Sequence, residues 1–264
     1  MPASNGAEPS GSSFNSRQLT DTTWWFAGCL RQSAGETEVH AHLSSYLVLG
    51  SERAAMIDTG HPKDWRAIRT KLEALLNGRT LDFIIPTHPE YPHAGNIGSL
   101  AAQYPESTVV GDVRDYHLYY PDLASRLVSV DSGQPLDLGS DAILSIVPGV
   151  IRDLSNTIWV HDSVGRVLYV SDGFGYSHRH GSGECVCLSS EMYSAPGRGE
   201  AVFVLERAMP WSRLVRNAEA VQAVHDLMLR HPADTVAPAH GNVIDNPVDL
   251  LPTLSAAMVE FGVR

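Results

Sequence analysis

The segment 87–96, with the sequence THPEYPHAGN, constrains this chain more than any other. It follows the apolar run LDFIIP at 81–86, which is typical of a buried β-strand. Residues two apart in an extended chain face the same way, so we expect His88 and Glu90 to reach one ion together. His93, at the start of the helix that follows, should point elsewhere. The pattern predicts two neighbouring metal ions at a strand end, and the alternative is a surface loop that is rich in histidine.

Length and composition predict one large α/β domain. The chain has 264 residues, of which 43% are hydrophobic, and strand and helix patterns alternate along it. Residues 1–18, rich in Ser, Gly, Asn and Pro, predict a disordered tail before a domain at 19–264. A net charge of -11 without a basic run argues against a nucleic-acid partner. We expect no membrane partner and a cytoplasmic location, because neither a bilayer-spanning apolar run nor a signal peptide is apparent.

The cysteines do not form a recognisable motif. There are three of them, Cys29, Cys185 and Cys187, and the last two are separated by a single residue. This spacing suits neither a zinc knuckle nor a redox pair. We therefore predict buried or incidental thiols.

Further candidate ligands follow other apolar runs. Asp58 ends the run AAMI at 54–57, and His240 ends the run TVAPA at 235–239. Asp153 and Asp172 lie on either side of two predicted strands that are joined by the turn 162–165. Carboxylates at strand ends beside glycines suit metal ligation. The helical period in 211–230 is instead typical of core packing.

These residues carry a family resemblance. Asp58-Thr59-Gly60, the segment 87–96, Asp172 and Pro238-Ala239-His240-Gly241 follow the order and approximate spacing of the metallo-β-lactamase fold. From about residue 24 onward, the chain resembles that superfamily, which implies a four-layer αβ/βα sandwich. More narrowly, the pattern His-x-Glu-x-x-His-x-Gly-Asn and the segment Ser-Asp-Gly-Phe-Gly at 171–175 resemble the diiron domain of flavodiiron proteins.

The resemblance implies a ligand set for two metals. By position, His88 and Glu90 would bind the first metal, His93 and His240 the second, and Asp172 would bridge them. An oxygen-rich first site suits iron or manganese better than zinc. Two histidines and one carboxylate at the second site are typical of non-haem iron.

The chain departs from the family at two positions. Pro92 stands where the family has an aspartate ligand, and Asp153 stands where it has a histidine. We expect Asp153 to substitute as an oxygen ligand, with His161 as the second candidate. We expect Asp58 to orient a ligand imidazole without binding metal. The alternative is that one of the two sites has decayed and holds no metal.

The resemblance also shapes the functional hypothesis. Flavodiiron proteins normally continue into a flavodoxin domain, and we expect no flavin in this chain. Electrons would then come from a separate donor protein or from the substrate. We predict a non-haem iron oxidoreductase with one or two irons that activates O2 on a small-molecule substrate. Asp172, Glu90, Tyr91 and Tyr176 are the residues expected in catalytic roles.

The sequence leaves three further pocket candidates and two alternative functions open. His178, His180 and Tyr193 lie in loops that could also line the pocket. A metal-dependent hydrolase of an ester, thioester or lactone is one alternative function, in which metal-bound water attacks the substrate. A non-enzymatic diiron protein that binds O2 or NO as a sensor is the other. The resemblance further implies a homodimer.

Overall fold

The protein is built around two β-sheets. The computed structural model describes residues 14–130, 134–181 and 184–263. The first sheet has seven strands in sequence order: β1 (Phe14–Gln18), β2 (Thr23–Ala34), β3 (Thr37–Leu49), β4 (Ala54–Ile57), β5 (Phe83–Ile85), β6 (Thr108–Gly111) and β7 (Leu127–Ser129). The second has five, in the order β12-β11-β10-β9-β8: β8 (Pro135–Asp137), β9 (Ile143–Pro148), β10 (Ile158–Asp162), β11 (Val167–Tyr169) and β12 (Thr235–Ala237).

Helices cover the outer faces of both sheets. They are α1 (Trp65–Leu76), α2 (Tyr91–Ala94), α3 (Ile97–Gln103), α4 (Tyr116–Tyr119), α5 (Arg198–Ala208), α6 (Asn217–Arg230) and α7 (Pro247–Phe261). Among the described residues, none of these helices has the length and apolarity needed to cross a membrane.

Three buried clusters hold the layers together. The central one contains Trp25, Tyr46 and Val160 and lies between the sheets. A second joins the outer face of the first sheet to α1 and α3, and a third joins the second sheet to α5, α6 and α7. The predicted α/β sandwich of two sheets with helices outside is therefore confirmed.

Local sequence explains where the helices begin and end. Helix α1 buries Ile68, Leu72 and Leu76, which recur every fourth residue along one face. It ends at Asn77, whose left-handed φ of 47° is a common helix stop. The helix predicted to begin near His93 is interrupted between α2 and α3, where the Asn96 side chain donates to the carbonyl oxygens of residues 59 and 60. The helix expected over 211–230 begins only at residue 217.

The strand directions bring the candidate ligands to one edge of the sandwich. Strand β4 is parallel to β5, and β11 is parallel to β12. The carboxyl ends of parallel strands meet at the same edge. Asp58 follows β4, His88 lies three residues beyond β5, Asp172 lies three beyond β11, and His240 lies three beyond β12. Residues far apart in the chain thus converge at this edge.

The N-terminal end of the described chain is ordered by pairing. The tail predicted to be disordered extends to residue 18, but residues 14–18 form β1, antiparallel to β2, so the boundary was placed too late. Residues 1–13 of that tail lie outside the described residues. Arg17 of β1 donates to both carboxylate oxygens of Glu191, at 2.5 and 2.8 Å. This ion pair fastens β1 to the segment between β11 and β12.

Glu191→Gln tests the ion pair. The hydrogen bond from Arg17, with the Leu188 N–H, lowers the pKa of Glu191 from 4.5 to about 2. Both side chains are partly exposed, so solvent screening limits the contribution to about 0.5–1 kcal/mol of unfolding free energy at pH 7. Because the pKa of this carboxyl is lower in the folded protein, the ion pair stabilises the fold fully above pH 4.5. This stabilisation is lost as the pH falls towards 2. Urea unfolding should show the difference from wild type at pH 7 and a smaller one at pH 3 (roughly midway in this window).

The exposed Glu106 supplies the control for this experiment, since Glu106→Gln makes the same chemical change on a turn. An equal loss of stability in both variants, or a loss that grows on acidification, would contradict the assignment.

Candidate metal centre

Asp172 lies at the centre of the converging residues. Its side chain is 3% exposed, and its two oxygens face different imidazoles. Oδ2 lies 3.4 Å from Nε2 of His88. Oδ1 lies 3.4 Å from Nε2 of His93 and 3.1 Å from Nε2 of His240. One carboxylate therefore divides three histidines into two groups.

Each of these imidazoles is held through its other ring nitrogen. The contacts of Nδ1 are His93 to Asp58 Oδ2 at 2.8 Å, His240 to the carbonyl oxygen of His42 at 2.8 Å, and His88 to Ser171 Oγ at 3.1 Å. A carboxylate or carbonyl oxygen only accepts, so it fixes the proton on Nδ1. In His93 and His240 it is therefore Nε2 that faces Asp172, as in a metal ligand.

Asp58 is itself fixed by the residue that precedes His88. The backbone N–H of Thr87 donates to Asp58 Oδ1 at 2.7 Å, and the Thr87 hydroxyl donates to the same oxygen at 2.8 Å. Asp58 is 2% exposed and has a φ of 54°, a conformation that non-glycine residues rarely adopt. The turn after β4 thus presents its carboxylate to His93, and this is the contact expected for Asp58.

Two buried atoms at this centre lack protein partners. Nε2 of His88 and Oδ2 of Asp172 have no hydrogen-bond partner among the described residues, although they face each other at 3.4 Å. Buried polar atoms are normally satisfied. First-row metal ions hold nitrogen and oxygen ligands at about 2.0–2.2 Å, which places two ligands of one ion roughly 3 Å apart. The spacing and chemistry of these residues therefore fit a metal ion.

A second group of ligands overlaps the first. Ligand atoms of His88, Glu90 and Asp153 lie within 4.8 Å of one another. Burial, together with the nearby carboxylates of Asp172 and Glu90, raises the pKa of Asp153 to about 6. A cation would offset this concentration of negative charge. The structure brings Asp153 to the site, whereas His161 lies apart, with its Nε2 at 3.0 Å from the carbonyl oxygen of Pro232.

The buried imidazoles differ in their proton affinity. Burial lowers the pKa of His88 to about 3, with a further decrease from His93. Burial alone would also lower the pKa of His93, but the carboxylates of Asp58 and Asp172 raise it to about 10. Burial likewise opposes ionisation of Asp172, yet His93 and the other histidines hold its pKa well below the usual range. The protein thus keeps Asp172 ionised and His88 neutral, which are the forms that bind metals.

The two candidate tyrosines are placed differently from the ligands. Tyr91 is 70% exposed and borders a surface pocket with Tyr119 and Tyr120. Tyr176 is fully buried in the cluster beneath α5, α6 and α7, and its hydroxyl donates to the carbonyl oxygen of Asn242 at 3.0 Å. The structure therefore gives the Tyr176 side chain a packing position and does not bring it to Asp172.

A small cavity adjoins the ligands. It measures about 170 Å³, and Glu90, Asp172 and His240 contribute to its wall. The rest of the wall is mostly apolar and comes from β2, β3 and α5; its members include Leu30, Ala41, Leu43, Val204 and Ala208. Sequence reasoning missed α5, although Ala201, Val204, Leu205 and Ala208 recur at helical spacing.

The chain belongs to the metallo-beta-lactamase superfamily, whose sequence profile matches residues 42–191. Its fold is similar to that of the flavodiiron protein from Giardia intestinalis, with a TM-score of 0.70 and 14% identity over 96% of this chain and 60% of that one. The sandwich inferred from the motifs, and the superfamily that they indicated, are thereby confirmed.

Curated relatives share parts of this chain. The coenzyme F420H(2) oxidase of Methanothermobacter marburgensis is 23% identical over 89% of this chain and 59% of its own length. Diflavin flavoprotein A 2 of Synechocystis sp. is 35% identical over 50% of this chain and 23% of its own length. The chain thus spans less than two thirds of these relatives.

Asp58→Asn tests whether this carboxylate orients His93. The amide keeps the size of the side chain but removes the charge that accepts from Nδ1, so we expect metal affinity to fall about 10–100-fold. Competition with a chromogenic chelator measures the affinity, and circular dichroism verifies the fold. Asp122→Asn, an exposed position, is the matched control. An unchanged affinity in Asp58→Asn would remove Asp58 from the site.

Proposed function

We propose that this chain is a dinuclear non-haem iron oxidoreductase that activates O2 on a small-molecule substrate. One observation carries the proposal: Asp172 turns one oxygen towards His88 and the other towards His93 and His240. A carboxylate that faces two sets of nitrogen ligands is suited to bridging two ions.

The ligands divide into two sets around this bridge. We assign His88, Glu90, Asp153 and one oxygen of Asp172 to the first iron. His93, His240 and the other oxygen of Asp172 are assigned to the second. The first set is rich in carboxylate oxygen, which favours iron or manganese over the nitrogen- and sulfur-rich sites that commonly hold zinc. The second is a two-histidine, one-carboxylate set, the arrangement of non-haem iron oxygenases.

The surrounding residues control access and orientation. When bound, iron supplies the one-electron chemistry and the open coordination positions that O2 needs. Asp58 and Ser171 hold the imidazoles of His93 and His88 in place. The adjoining cavity of about 170 Å³ is smaller than the usual pocket for drug-sized ligands, so it favours O2 and a compact substrate. Its wall combines some of the assigned ligands with apolar side chains of β2, β3 and α5.

The relatives support the redox assignment. One of them is named for the oxidation of coenzyme F420H(2), and the fold is shared with a flavodiiron protein. We propose that electrons reach this chain from a reduced small molecule or from a separate donor protein. The homodimer and the cytoplasmic location stay predictions, and analytical ultracentrifugation tests the first of them.

Metal content and O2 consumption test the proposal together. Protein expressed with iron should contain about two irons per chain and give the Mössbauer signature of a coupled pair. His240→Ala should lower O2 consumption more than about 100-fold, because loss of a ligand exceeds the effect of losing an outer partner. His117→Ala, at an exposed histidine, is the control. Zinc with ester hydrolysis, or a stable gas adduct without turnover, would overturn the proposal in favour of a hydrolase or a sensor.

Asp153→Asn separates the two candidates for the altered ligand position. We expect iron content to fall from about two to about one per chain, because the first site loses a carboxylate. His161→Ala should leave the iron content unchanged, since its imidazole contacts the carbonyl oxygen of Pro232. Elemental analysis of both variants makes the comparison. Iron loss in His161→Ala with retention in Asp153→Asn would reverse the assignment.

A further inference from the structure

A second cluster of metal-binding side chains lies beside β2 and β3. Cys29 belongs to β2, and His180 and Cys185 belong to the segment between β11 and β12, on either side of residues 182–183. The ligand atoms of these three residues lie within 4.8 Å of one another. None of the three belongs to the set around Asp172.

The distance between Cys29 and His180 is close to that between two ligands of a tetrahedral zinc ion. Sγ of Cys29 lies 3.9 Å from Nε2 of His180. Zinc binds sulfur at about 2.3 Å and nitrogen at about 2.0–2.1 Å, which separates two such ligands by about 3.6 Å. A small shift of either side chain therefore brings both into coordination range.

His180 presents the correct nitrogen. Its Nδ1 lies 2.7 Å from the carbonyl oxygen of Gly181, which can only accept a hydrogen bond. The proton is therefore on Nδ1, and the lone pair of Nε2 points towards Cys29. Zinc-binding histidines commonly use such a contact to fix the ring.

A buried histidine provides a second, independent observation. His178 is 1% exposed, and neither of its ring nitrogens has a hydrogen-bond partner among the described residues. Its ring centroid lies 5.3 Å from that of His180 and 6.0 Å from that of His40. Burying an unsatisfied imidazole is costly unless a ligand or ion occupies the neighbourhood.

The sheet explains how the cluster is assembled. Cys29 pairs with His42 across β2 and β3, which makes His40 its diagonal neighbour, and Nδ1 of His40 lies 3.0 Å from Cys29 Sγ. The backbone of His178 exchanges two hydrogen bonds of 2.8 Å with that of His40. The segment that carries His180 and Cys185 is thereby held against the cysteine of β2.

We propose that Cys29, His180 and Cys185 bind a zinc ion. Two sulfur ligands and an imidazole favour a thiophilic ion, in contrast to the oxygen-rich set at Asp172. Each thiol gives up its proton to solvent on binding, and the ion undergoes no redox change. The ion would tie His180 and Cys185 to the first sheet.

Cobalt(II) absorption is the test, with the full-length iron-loaded protein and cobalt as the added probe. Wild type should develop thiolate-to-cobalt charge-transfer bands that zinc abolishes by displacement. Cys29→Ser and Cys185→Ser should lose these bands, and His180→Ala should weaken cobalt binding at least about tenfold. Cys187→Ser is the matched control and should retain them, because its Sγ contacts Asn242 at 3.3 Å outside the cluster.

Iron content and circular dichroism keep this test separate from folding and from the centre at Asp172. We expect zinc to raise the melting temperature of wild type, and we expect Cys185→Ser to retain its fold and its iron but to lose this rise. The proposal is overturned if wild type shows no charge-transfer bands, or if Cys187→Ser loses them as fully as Cys29→Ser. It is also overturned if His180→Ala, at a partly exposed position, folds and binds cobalt as wild type does.

Discussion

The buried carboxylate of Asp172 is the interaction on which the site depends. Removing a charge from water is costly unless other groups compensate, and three imidazole nitrogens lie 3.1–3.4 Å from its oxygens. His93 compensates it directly, because Asp58 and Asp172 raise the pKa of that ring and favour a proton, which a bound metal would replace. His88 cannot do so, since burial keeps it neutral. The charge is therefore balanced on one side of Asp172 and unbalanced on the other, which is where the further carboxylates of Glu90 and Asp153 gather.

The fold places the ligands of this centre at strand ends, where the backbone is held by the sheets. His88, Asp172 and His240 each lie three residues beyond a short, mostly buried parallel strand, so the sheets fix the backbone that carries them. The partners of the imidazoles come from neighbouring turns: Asp58 from the turn after β4 and the His42 carbonyl from β3. Both sheets are therefore needed to complete one centre. Loss of packing between them would disperse its ligands.

The sequence predicts those residues of the site that directly follow a recognisable strand pattern. Asp58, His88, Asp172 and His240 each end an apolar strand pattern, and such patterns reveal where a side chain emerges. Tyr176 follows the same strand end, yet its ring turns into the core, where it packs in one cluster with residues of α5, α6 and α7 that are distant in the sequence. Strand β1 was missed for a related reason, since its order comes from pairing with β2 and from a distant ion pair.

The cluster of Cys29, His180 and Cys185 could not be predicted from the sequence, because Cys29 is far from the other two members in the chain. Zinc motifs are recognisable when their ligands share a short segment, but Cys29 comes from an early strand and the other ligands from a late loop. The Asp172 centre and the cysteine cluster are joined through one residue, His42. The carbonyl oxygen of His42 accepts from His240, while Nε2 of the His42 ring lies 2.7 Å from the carbonyl oxygen of Cys185. Any ion that fixes Cys185 therefore also restrains the strand that positions a ligand of the Asp172 centre.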